Sequence, residues 1–108
     1  MPFITLGAVI KRDGDVLSRW GNGGQQFNVL HPKPGVYQIN FTPDFTGLPA
    51  VTVQHYWDIS NAASTGGAIH DTATVEGITN SGMTVMTGDN KGNVSDRDFA
   101  FIAIGNIP

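Results

Sequence analysis

The chain has no cysteine, which excludes disulfides and every zinc site built on thiolates. It is also poor in charge. Six Lys and Arg stand against nine Asp and Glu, a formal charge of -3, so no electrostatic case exists for a nucleic-acid partner or for an anionic membrane surface. Glutamate is nearly absent: Glu76 is the single one, and the other acids are Asp. No stretch approaches the ~18 consecutive apolar residues that a membrane span needs, so membrane insertion is not expected. The amino terminus, Met1-Pro2-Phe3-Ile4-Thr5-Leu6, lacks the basic start of a secretory leader. If such a product leaves a cell, it does so by lysis, by another machinery or as part of a particle; virion or particle association fits, and no compartment follows.

Helical periodicity is missing too. No window repeats apolar residues at i, i+3, i+4 and i+7 for the three turns that a stable helix wants. Period two is found instead, and 14 Gly and 6 Pro supply turns. Phe3 to Ile10 is a first apolar run, closed by Asp13-Gly14, and Val16 to Trp20 is a second, followed by a Gly21–Gly24 loop. Phe27, Val29 and His31 alternate against Asn28 and Leu30 before a turn at Pro32-Lys33-Pro34-Gly35. Tyr37, Ile39 and Phe41 read as inward, with Gln38, Asn40 and Thr42 outward.

Residues 42–49 read as a corner in which Phe45 and Leu48 cap the core. Ala50 to His55 alternate and run into Tyr56-Trp57-Asp58, and a loop of small residues spans Ser60 to Gly67. Asp71 to Thr79 reads as a strand with Ala73, Val75 and Gly77 inward. Asn80-Ser81-Gly82 turns it into Met83, Val85 and Thr87, and Asp89-Asn90-Lys91-Gly92-Asn93 leads to the last strand. The sum is one all-β domain over 1–108, an antiparallel β-sandwich of about seven or eight short strands.

The last strand, Asp98 to Gly105, is the most informative segment. Alternate residues face opposite ways, so Phe99, Phe101 and Ala103 line one side, and Ala100, Ile102 and Ile104 the other. Both sides are apolar and both need cover. The domain's own core covers the first. A second subunit over Ala100, Ile102 and Ile104, or the amino-terminal run Phe3-Ile4-Thr5-Leu6 folded across them, would cover the second. The subunit reading is preferred, as a homotrimer burying about 1,000 Å² or more per pair.

Gly35-Val36-Tyr37-Gln38-Ile39-Asn40-Phe41, then Phe45, Leu48-Pro49-Ala50-Val51-Thr52-Val53, Gly82-Met83-Thr84-Val85 and Phe99-Ala100-Phe101-Ile102-Ala103-Ile104-Gly105 occur in an order that resembles a known module. Over about residues 25–105 the chain is similar to small β-sandwich domains of phage tail-fibre tips and related bacterial proteins. It is distantly similar to H-type lectins, trimeric sandwiches with a comparable late strand near the threefold axis. The resemblance implies a trimeric, lectin-like module that binds cell-surface glycan. H-type lectins place a sugar-contacting aromatic residue before the last strand; Asp89 to Asn93 contain none, so the fold and the trimer transfer better than the sugar site.

For a ligand, Trp20 and the run His55-Tyr56-Trp57-Asp58, with Asn61 behind it, are the candidates, together with Asp89, Asn90 and Asn93. Trp and Tyr suit sugar stacking and interface anchoring alike; Asp and Asn direct hydrogen bonds to hydroxyls. For Trp20 and Trp57, a core or inter-subunit anchor and an exposed recognition residue both stay open. Asp89 to Asn93 also suit an ordinary hairpin tip; the segment lacks the calcium-loop spacing and its distal Glu. His31, His55 and His70 form no metal-ligand pattern, and no nucleophile elbow or paired-carboxylate motif is present. No enzyme activity, no cofactor and no metal are therefore expected. A purely structural oligomerisation or capping domain of a larger fibre or particle is the alternative to recognition.

Overall fold

The computed structural model describes residues 3–21, 26–55, 72–89 and 91–107. Eight strands run in chain order: β1 (Phe3–Ile10), β2 (Val16–Gly21), β3 (Gln26–Lys33), β4 (Val36–Thr42), β5 (Ala50–His55), β6 (Thr72–Ile78), β7 (Gly82–Gly88) and β8 (Phe99–Asn106). They form two four-stranded antiparallel sheets, ordered β2-β1-β8-β5 and β3-β4-β7-β6. The fold is thus the all-β two-sheet sandwich expected from the period-two pattern.

The core is what the alternation dictates. Ile4, Leu6, Ala8 and Ile10 of β1 and Phe99, Phe101 and Ala103 of β8 face Phe27 of β3, Tyr37, Ile39 and Phe41 of β4, and Met83 and Val85 of β7. Aromatic pairs join the sheets: Phe27 meets Phe101 edge-on at 5.3 Å, and Tyr37 meets Phe99 at 5.0 Å, separations at which ring quadrupoles attract. At the corner between β4 and β5, Phe45 is buried against Phe41 at 5.0 Å. Leu48 is not a core cap, because it is 72% exposed; of the two, Phe45 is the one buried there.

Three further expectations are corrected. The first turn after β3 starts later than Pro32, since β3 runs on to Lys33. It is an edge strand with a register shift beyond Leu30, where a missing N–H is tolerated. Likewise β2 extends through Gly21, paired with Leu6. Gly77 does not point inward. Residues 76 and 77 form a bulge between the pairs Val75↔Val85 and Ile78↔Met83, and Gly77 has φ +144°, a conformation that suits only glycine.

The amino-terminal run does not fold across β8. It pairs beside it in the same sheet, from Phe3↔Asn106 to Ile10↔Phe99, and so leaves the outer side of β8 facing away from the core.

Candidate functional site

Two outer faces flank the core. On the first sheet, register sets residues in rows: Trp20–Gly7–Ile102–Thr52, with Ser18–Val9–Ala100–Gln54 beside it and Thr5–Ile104–Ala50 on the other side. Not one of these side chains is ionisable. On the second sheet, the outward residues are mostly amides and hydroxyls. Asn28 and Asn40 are bonded to each other (Nδ2 to Oδ1, 3.1 Å), Gln38 lies opposite Thr84, and β6 supplies Thr72, Thr74 and Glu76. That face carries an ionisable group, Glu76, and the exposed apolar Leu30; the first is uncharged, with Thr5, Ser18, Thr52 and Gln54 around an apolar strip.

Relief on the first face comes from glycine. A Cβ on Gly7 would lie 2.6 Å from Trp20 Cζ2, so only a residue without a side chain lets the indole lie down across β1. Trp20 itself remains 52% exposed. Between it and Ile102 runs a groove of about 190 Å³, lined chiefly by Val9, Trp20, Thr52, Gln54, Ala100 and Ile102. Ile102 is 37% exposed, and Ala100 and Ile104 are half-buried.

The candidate residues therefore separate. Trp20, read from the sequence as a ligand residue, shares one surface with Ala100, Ile102 and Ile104, read as a subunit interface. His55 ends β5 on its inward register, half-buried beside Phe99. Asp89 and Asn93 lie elsewhere, in the connection from β7 to β8. Asp89 Oδ1 accepts from the Lys91 and Asn93 backbone N–H groups, each at 2.9 Å, and Asn93 Nδ2 donates to Oδ2 at 3.4 Å. Those donors hold the Asp89 carboxyl below the usual carboxylate range. Tyr56, Trp57, Asp58, Asn61 and Asn90 lie outside the described residues.

One cluster escaped the sequence reading. His31 Nε2 is 2.9 Å from Asp96 Oδ1, which also accepts the Gly35 N–H at 2.6 Å. The imidazole stacks on Tyr37 at 4.4 Å, nearly parallel. The Tyr37 hydroxyl donates to the Arg12 carbonyl at 2.7 Å; burial first, and the Asp96 charge second, push its pKa well above the ordinary 10.0. Next to it, buried Asp98 accepts from the Arg12 backbone N–H at 2.7 Å, with the Arg12 guanidinium 3.7 Å away. Asp96 and Asp98 thus find partners within the chain, 65 and 86 positions away, a separation that local patterns do not register, whereas Arg97 bonds locally to Ser95 Oγ and the Asp96 carbonyl.

A His–Asp pair is also the start of a catalytic triad, which needs a hydroxyl on the second ring nitrogen. Among the described residues no hydroxyl bonds His31 Nδ1, and the pair lines neither the Trp20 groove nor the groove beside Asn93. Its evident work is mechanical: it ties the 93–98 segment to the β3–β4 turn. No trio of His, Asp or Glu among the described residues is placed to hold a metal ion. Comparison of the chain with family models, with curated proteins and with solved structures finds no match.

Proposed function

We propose that this chain is a non-enzymatic recognition module. It assembles as a homotrimer through the outer face of the first sheet and presents its remaining surface to cell-surface carbohydrate, as a phage tail-fibre tip or lectin-like domain would. The observation that carries the reading is the uncharged outer face of the first sheet, with its apolar strip Trp20, Val9, Ala100, Ile102 and Ile104. A four-stranded surface without one charged side chain, with Ile102 in its middle and a half-exposed indole at its edge, is costly to leave in water.

One feature favours the purely structural alternative, a capping or oligomerisation domain. Trp20 lies on the assembly face, where an aromatic anchor contributes to subunit contact instead of to sugar stacking. A paired experiment tests the proposal: sedimentation equilibrium for the subunit count, and a glycan array probed with the wild-type protein. A trimer with glycan signal supports recognition. A trimer with a blank array leaves the capping domain, and a monomer with a blank array removes both.

A further inference from the structure

The second sheet carries a groove of its own, about 250 Å³, at the end of the sandwich where the β7–β8 connection rises beside β6. Its floor is Gly88. A Cβ there would lie 3.0 Å from the Asn93 carbonyl oxygen and 3.4 Å from Thr72 Oγ1, so the space exists because that residue has no side chain. One wall is the outward row of β6: Thr72, Thr74 and Glu76. Asn93 and Val94 form the other, and Met86 gives an apolar patch between them.

Three details make this more than a wet surface. First, the side chains of Thr72, Thr74 and Glu76 are exposed in one row along β6, so two hydroxyls and a carboxylate are offered along one wall. Second, the chain's only glutamate stands in the bulge beside Gly77, which has φ +144°; bulges of this kind re-aim a side chain. Third, Asp89 stiffens the facing loop. It engages the Asn93 N–H and Nδ2, leaving the Asn93 side-chain oxygen to accept.

We infer that this groove binds an uncharged, hydroxyl-rich sugar. Vicinal hydroxyls match a lining that offers a carboxylate, two hydroxyls and an amide oxygen, and the C–H face of a pyranose matches Met86 and Val94. The lining has one carboxylate and no cation, so an acidic sugar meets like charge and is disfavoured. From Thr72 to Glu76 the strand advances about 13 Å, a length that suits an oligosaccharide better than one ring. The inference rests on the recognition reading and gives it a place: the groove lies on the sheet opposite the proposed assembly face, so three copies would stay open and add avidity.

The test uses the full chain, labelled with ¹⁵N, titrated separately with maltotriose, cellotriose, N-acetyllactosamine and sialyllactose. At least one neutral sugar is expected to shift the amides of Thr72, Thr74, Glu76, Met86 and Asn93, with sialyllactose weaker. Glu76→Gln, on an exposed strand position, is expected to weaken that sugar about ten-fold or more, and Gly88→Ala to close the floor. If a sugar binds but shifts residues around Trp20 and Ile102, or ignores Glu76→Gln, the groove is wrong and recognition survives. If none of the four sugars binds and the glycan array is blank as well, recognition and groove fall together.

Discussion

Replacing Ile102 by lysine is the sharpest perturbation of the proposed assembly. Ile102 is 37% exposed in the single chain. Full burial of an isoleucine contributes about 1.5–3 kcal/mol, so covering its remaining third contributes about 0.6–1.1 kcal/mol per copy and about 2–3 kcal/mol over three copies. Ile102→Ala should therefore weaken trimerisation by about 30- to 200-fold. Ile102→Lys should abolish it, because desolvating an unpaired ammonium costs several kcal/mol per copy. Neither change should unfold the domain: the position points away from the core, and a lysine there reaches water, so single-chain stability should stay within about 0.5 kcal/mol for Lys. Sedimentation equilibrium and light scattering over a concentration series read the outcome directly, as three times the 11.5 kDa chain mass or one. A wild-type protein of one-copy mass at the highest soluble concentration would refute the reasoning, as would an Ile102→Lys protein that stays trimeric.

Tyr37→Phe removes the donor to the Arg12 carbonyl and should cost about 1–2 kcal/mol in urea unfolding; an unchanged midpoint would show that the bond contributes nothing. Because the folded state raises the Tyr37 pKa, the stability linked to this group is complete below the unfolded value of about 10 and is lost as pH climbs above it. Wild-type stability should therefore fall with alkaline pH more steeply than that of Tyr37→Phe. The opposite sign applies to Asp89, whose pKa is lowered by its backbone donors. Its carboxyl carbon should titrate in NMR below the ordinary Asp range, and the loop contacts should loosen only as pH falls through that lower value; titration with the other aspartates would remove the cap reading. Gly7→Val puts a side chain into the Trp20 ring and 3.0 Å from the Phe101 carbonyl oxygen. It should cost about 1–2 kcal/mol and, in a Trp57→Phe background, shift Trp20 fluorescence to the red; unchanged emission would mean that the indole does not depend on Gly7.

The sequence by itself determined the class of fold and most of its interior. Period-two alternation at Tyr37, Ile39 and Phe41 and at Phe99, Phe101 and Ala103 assigns inward faces whatever the strand order, because a half-buried strand has only two sides. It also identified β8 as apolar on both sides. It could not say which strands neighbour one another. That Phe3–Ile10 lies beside β8 and not over it, that Trp20 crosses Gly7 to share a face with Ile102, and that His31 finds Asp96 are all consequences of pairing between distant segments. Leu48 and Gly77 were misplaced for the same reason: an apolar or alternating position says what a side chain prefers, and only the packed neighbours decide whether there is room for it. The groove between Glu76 and Asn93 belongs to that second category, since its floor is a glycine and its walls come from segments joined only when the sheet closes.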